Sequence, residues 1–152
     1  MNRKEGMNEL EIAQCLKNVK DFNGVLSYDR FPSKVLSGYY VVNSGKSNSN
    51  GEHWLVMYFP RDNIMAEFFD SLALSPNAYN KRMEFILFKN ASAYKKSAKQ
   101  IQRSDSALCG QYCVLYCYLK SKYAFSMEDY LNVFSDDLLH NDRIVKFWEK
   151  CP

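Results

Sequence analysis

Hydrophobic positions in this chain fall in short runs whose period changes several times. Asn8 followed by Glu11 forms a helix-start box, and Leu10, Ala13, Leu16 and Val19 then recur at helical spacing, predicting a first helix over 8–19. Asp21 to Lys34 contains Gly24 and Pro32 with no clean period and reads as loop, whereas Val35 to Val42 suits a strand centred on Tyr39 to Val42. After a polar stretch from Ser44 to Gly51, Trp54–Phe59 and Ile64–Phe69 read as two buried strands joined through Arg61 and Asp62. Ser75 as cap and Pro76 at the first position predict a helix over 76–88, with Tyr79, Met83, Ile86 and Leu87 on one face. Ala91 to Gln102 suits an edge strand.

The segment from Ala107 to Tyr123 is almost uncharged before Lys120 and reads as a helix buried on most sides. Ser126 with Asp129 opens another over Met127 to Leu138, and Asn141 caps a last one in which Ile144, Val145, Phe147 and Trp148 face inward. Helices at both ends around a small sheet make an α+β fold in one domain over 1–152.

Composition narrows the class. With 152 residues, 47% of them hydrophobic, the chain can bury one sizeable core, and an aromatic share of 15% excludes a disordered segment. A net charge of +3 neither demands nor forbids an acidic partner. No apolar run approaches the roughly 20 residues a membrane helix needs. The five cysteines are an odd number, and no signal-like start precedes them, which suggests a reducing compartment with Cys15 and Cys151 as free thiols. Three cysteines spaced four apart on one helix cannot wrap a metal, so zinc is not expected.

Candidate chemistry centres on Cys109. A thiol attacks a carbonyl as thiolate and needs a helix N-terminus, a nearby imidazole and donors for the oxyanion; Cys109 opens the predicted central helix, and Gly110 beside it admits a substrate backbone. Cys113 and Cys117, one and two turns further in, read as core thiols, the ordinary role of a buried cysteine. With the hairpin turn centred between Arg61 and Asp62, residues whose numbers sum to 123 face each other, and His53 and Asp70 are such a pair. Opposed positions hold Cβ atoms about 4.5–5.5 Å apart, close enough for a carboxylate to orient an imidazole. Singly, His53 is an ordinary strand-end residue and Asp70 an ordinary turn aspartate. Gln102, seven residues before Cys109, can bring a side-chain amide beside the Cys109 N–H if 103–107 loops back, although Gln100 and Gln111 compete for that part. His140 reads as a capping or surface residue.

These residues resemble the adenovirus protease (adenain) family and the wider clan of cysteine proteases that includes the SUMO and ubiquitin-like-protein proteases. The likeness rests on Gly51-Glu52-His53-Trp54, Asp70, and Gln102 through Cys109-Gly110 in that order, with Tyr28 to Pro32 and Val41 to Asn43 leading in, and runs from the first helix to about residue 123. It implies an adenain-like fold, related to papain, with a central buried helix and a small mixed or antiparallel sheet. It also implies a catalytic set of Cys109, His53, Asp70 and Gln102, and substrate contacts at Gly51, Trp54 and Gly110. The implied activity is a cysteine endopeptidase that processes capsid or core precursors of a virus, virophage or virus-like transposon, inside the infected cell or packaged in the virion. A SUMO-type isopeptidase and a non-catalytic binding module on the same fold remain the alternatives, since aspartate at 70 is the acid usual in the SUMO branch. No cofactor is needed for the chemistry, and the chain is expected to be a monomer. Where the adenovirus enzymes carry a cysteine for a disulfide-linked activating peptide, this chain has Ala91. For DNA, the family's other activator, Lys89, Lys95, Lys96, Lys99 and Arg103 form a candidate basic stripe, with a solvated edge as the competing reading.

Overall fold

A computed structural model describes residues 6–45 and 53–148 of the chain. Helix α1 (Glu9–Leu16) starts at the expected box: the Asn8 side chain accepts from the Glu11 N–H and the Glu11 carboxylate accepts from the Asn8 N–H. Five strands follow in spatial order β1 (Phe22–Ser27), β2 (Gly38–Asn43), β3 (Trp54–Phe59), β4 (Met65–Phe69) and β5 (Ala93–Lys96). The central pairs are antiparallel and each outer pair is parallel, giving a mixed sheet. Helix α2 (Lys81–Asn90) precedes β5; α3 (Cys109–Tyr123), α4 (Met127–Asn132) and α5 (Leu138–Phe147) close the chain.

Strand alternation splits the core in two. Tyr39, Val41, Val56 and Phe69 point toward α1, α3, α4 and α5, where Ile12, Leu16, Tyr112, Tyr116, Tyr130 and Val145 meet them. Tyr40, Val42, Leu55, Met57, Phe59, Ala66 and Phe68 point the other way and are covered by Phe31 and by Met83, Ile86 and Leu87 of α2. Both faces being covered explains why β2 and β3 read as continuous hydrophobic runs rather than alternating ones. The α+β class, the central helix and the edge strand are therefore borne out.

Several expected boundaries are corrected. Asp21 to Lys34 is not all loop, because β1 lies in it; the register slips between Phe22 and Gly24, and Gly24 sits at φ +149°, so a bulge hides the strand's period. Strand β2 begins at Gly38 rather than Val35. There φ is +123° and a Cβ would fall 2.0 Å from the Asp21 carbonyl, which holds the Tyr39 N–H, so only glycine lets β2 lie beside β1. The helix expected over 76–88 breaks in two: Pro76–Ala78 forms a single 3₁₀ turn, and α2 starts afresh with Asn80 accepting from the Met83 N–H. Helix α4 ends at Asn132. Asp137, not Asn141, caps α5, and Asn141 lies buried inside it, while Phe147 (86% exposed) and Trp148 (52% exposed) face outward. Cys15 is disulfide-bonded rather than free; an odd count leaves one cysteine over but does not prevent a pair. Cys109, Cys113 and Cys117 are free thiols, and Cys151 lies outside the described residues.

The hairpin register is also corrected. Val56 faces Phe69, Met57 faces Phe68 and Tyr58 faces Glu67, so facing numbers sum to 125, not 123. The turn closes through the Asn63 N–H on the Pro60 carbonyl with Asn63 left-handed at φ 58°, and this extra residue displaces the pairing. His53 and Asp70 are thus diagonal neighbours.

Among the described residues no helix is long and apolar enough to cross a membrane, and no cluster of three or more His, Cys, Asp or Glu is poised around a metal position.

Candidate active site

One end of the sheet gathers the start of β3, the ends of β2, β4 and β5, and the first turn of α3. His53 stands just before β3, its carbonyl accepting from the Ser44 N–H beyond β2. Cys109 is the first residue of α3, which packs on β3, and its Sγ accepts from the Trp54 N–H at 3.4 Å. Unsatisfied amides and the dipole of a fifteen-residue helix favour negative charge at this position.

His53 and Asp70 meet across the diagonal, with Nε2 2.7 Å from Oδ1. With Nε2 committed there, Nδ1 remains for the thiol. Burial alone would lower the basicity of the ring; the hydrogen bonds to Asp70 and Cys109, with the charges of both partners, outweigh it and raise the His53 pKa to about 9. The imidazole is therefore charged at neutral pH. Cys113 and Cys117 differ: both are fully buried, and desolvation pushes their thiols up.

Asp70 is 0% exposed and saturated with donors. Its Oδ1 also accepts from the Leu72 N–H at 2.9 Å, and its Oδ2 accepts from the Leu74 N–H at 3.1 Å and the Tyr79 hydroxyl at 2.5 Å. The Asp70 N–H donates to Ser97 Oγ past the end of β5. Left-handed Ala73, whose N–H returns to the Asp70 carbonyl, shapes the turn that aims these amides at the carboxylate. Tyr79 makes a second contact, its ring lying 5.7 Å from that of His53 at 18°. Burial first, then the bond to Asp70, pushes its phenol up, so it remains a donor. Sequence reasoning assigned Tyr79 only to a helix face; the Ser75-Pro76 turn that breaks the helix swings it toward the acid.

Gln102 is buried and tied to the acid's turn. Its Oε1 accepts from the Ser71 hydroxyl at 2.5 Å, and the Ile101 and Gln102 N–H groups both donate to the Ser71 carbonyl. Its Nε2 donates at 2.9 Å to both the carbonyl and the hydroxyl of Ser106, closing the loop between them just before α3. Gln100 is used elsewhere, donating to the Gln102 carbonyl and to Ser104. Gln111 is buried inside α3. His140 is an exposed residue of α5.

The other expected site residues have intramolecular roles. The Trp54 indole donates to the Met7 carbonyl at 3.0 Å, and a Cβ at Gly110 would meet Met7 at 3.1 Å and Ile12 and Trp54 at 3.3 Å. Glycine at 110 thus admits the segment before α1. Gly51 lies outside the described residues. In the basic stripe, Lys95 pairs with Glu128 and Arg103 with Asp105, while Lys96 and Lys99 donate to backbone carbonyls and Lys89 lies over the Phe85 ring.

No protein-family model matches the chain. In sequence it is similar to a protease of Bovine adenovirus 7, at 28% identity over 138 residues covering 77% of this chain and 67% of the relative. In fold it is similar to the ASFV pS273R protease, with a TM-score of 0.58 and 17% identity over 96% of this chain and 67% of that one. The central domain of Lpg1148 from Legionella pneumophila, an uncharacterised protein, superposes with a TM-score of 0.55 at 15% identity, covering 95% of this chain and 93% of that domain. The chain is thus similar in sequence to an adenovirus protease and shares its fold with the ASFV pS273R protease.

Proposed function

We propose that the chain is a cysteine endopeptidase with Cys109 as nucleophile, His53 as acid and base, and Asp70 as the group that orients His53. The observation that carries this reading is the Asp70 carboxylate 2.7 Å from the His53 imidazole, beside the Cys109 sulfur, which at a helix N-terminus accepts from the N–H of Trp54, the residue after His53. In the acylation step the Cys109 sulfur forms a bond to the scissile carbonyl carbon, and the oxygen takes up negative charge beside the Cys109 N–H and the Gln102 amide. Gln102 serves there by lending one of its two amide protons away from Ser106. The His53 proton passes to the leaving amine as the C–N bond breaks, leaving a thioester that water hydrolyses with His53 as base.

The likeness to an adenovirus protease supports precursor proteins of a virus particle as the substrate class and an infected cell as the setting. Activation through the basic stripe gains no support from geometry, since its cations already hold intramolecular partners.

The test is to digest a proteome-derived peptide library with the wild type and with Cys109→Ala and to sequence the new N-termini. Site-selective cleavage by the wild type alone is expected. Cleavage by both, or by neither, overturns the reading.

A further inference from the structure

Resting on the protease reading, we infer that Asn141 of α5 is a positioning residue for the oxyanion arm, acting on Gln102 through the carbonyl of Ile101. Asn141 is fully buried in a helix otherwise remote from the chemistry. Its Nδ2 donates to the Ile101 carbonyl at 3.1 Å and to the Ser135 carbonyl at 2.8 Å, while its Oδ1 accepts from the Ser135 N–H at 3.0 Å. All three bonds run to loops outside α5.

The Ile101–Gln102 stretch is therefore clamped from two sides. Its amides reach the Ser71 carbonyl, next to Asp70, and the Ile101 carbonyl between those amides accepts from Asn141 of α5. Tyr112, one turn after Cys109 on α3, reinforces the second side. Its hydroxyl lies 2.6 Å from Asp142 Oδ1 and 3.2 Å from the Ile101 carbonyl. A hydroxyl has one proton to give, so the short bond to Asp142 takes it and the Asn141 amide is the principal donor to Ile101. The Lys99 ammonium fastens the same arm to the Phe134 carbonyl before α5.

A leucine at 141 would suit the apolar core better but would strip the buried Ile101 carbonyl of its principal donor and release both Ser135 backbone groups. The asparagine instead fixes the peptide from which the Gln102 side chain departs, so only the amide end has to turn from Ser106 toward the developing oxyanion. It touches no reacting atom.

The test uses Asn141→Ala and Lys99→Met in the full chain with two readouts. The first is kcat and KM on the peptide that the wild type cleaves best in the library. The second is the rate of Cys109 alkylation by iodoacetamide across pH; the sulfur forms a bond to an sp³ carbon as iodide leaves, and no oxyanion develops. A fall in kcat on the order of 10- to 100-fold for Asn141→Ala is expected, with KM and the alkylation profile unchanged, because small misplacements carry penalties of that size. Lys99→Met, which removes the ammonium tie of the same arm to the Phe134 carbonyl, should show the same split with a smaller loss, and it decides the matter if Asn141→Ala does not fold. A folded variant with wild-type kcat overturns the inference, as does a parallel loss of hydrolysis and alkylation. A wild type that cleaves nothing overturns the protease reading as well, an outcome distinct from an active wild type with indifferent variants.

Discussion

Asp70→Asn keeps the side chain's shape and removes its charge, and the four donors around it make the outcome calculable. Asparagine places an N–H pair where one oxygen stood, facing either His53 and Leu72 or Leu74 and Tyr79. The Tyr79 hydroxyl can rotate to accept without a change of His53 tautomer, so the amide settles on that side and the part-buried Leu74 N–H loses its partner, at about 0.5–1.5 kcal/mol. The larger effect concerns His53. Its pKa in the folded chain, about 9, lies above the ordinary 6.5, so the folded state holds its proton more tightly than the unfolded state. The stabilisation is then present in full below pH 6.5 and is lost as pH rises through 9; a shift of this size corresponds to about 3 kcal/mol. The bond to Asp70 is the foremost contribution raising that pKa, so Asp70→Asn should remove most of the pH-dependent part. Urea unfolding of both proteins from pH 6 to 9.5 measures this. The two stabilities should differ by several kcal/mol at pH 6 and converge to the cost of the orphaned amide above pH 9. A difference constant across that window would refute the account of His53, and no difference at all would refute the account of Asp70.

Three further perturbations probe neighbouring parts. Tyr79→Phe keeps the ring against His53 but removes the donor to Asp70, so unfolding should show a loss of about 1–2 kcal/mol and steady-state kinetics a fall in kcat with KM little changed. Gly110→Ala forces a methyl group into Met7, Ile12 and Trp54 at 3.1–3.3 Å and should cost about 1–3 kcal/mol in urea unfolding; an unchanged midpoint would mean that the segment before α1 gives way freely. Lys120→Met leaves buried Glu67 with the Tyr116 hydroxyl but no countercharge and should cost about 3–5 kcal/mol, with Glu67→Gln in the same chain recovering part of the loss in a double-mutant cycle.

Legibility followed the range of the interaction. Elements announced by local pattern were readable: the Asn8 box, the runs that became β2 and β3, and the uncharged stretch that became α3. Elements whose character depends on distant partners were not. The bulge at Gly24 is tolerable only because β2 supplies a parallel neighbour, and Asn141 has a cap residue's chemistry but spends it on the Ile101 and Ser135 carbonyls. The same division runs through the site. Cys109, His53 and Asp70 have side chains whose chemistry is conspicuous in a sequence, and the structure brings them together. Tyr79, Ser71, Ser106 and Asn141, which aim those groups, have side chains common in any core or turn, and only long-range folding gives them their targets.

The meeting of His53 and Asp70 through a register other than the expected one shows which part of the inference was robust. In an antiparallel pair, two residues share a face when the sum of their numbers has the same parity as the register; 123 and 125 both satisfy this for 53 and 70, and 124 does not. Parity was secured by the hydrophobic pattern, since Leu55, Met57 and Phe59 must face α2 along with Ala66 and Phe68. The remaining offset of two was decided by the left-handed residue at Asn63, and it shifts the pair from opposed to diagonal positions, about 7–8 Å apart at the backbone. An imidazole bridges that separation to a carboxylate, whereas a serine or threonine hydroxyl could not. The length of histidine is therefore what makes the pair insensitive to the turn, and face, not register, is the property a sequence must specify for this contact to form.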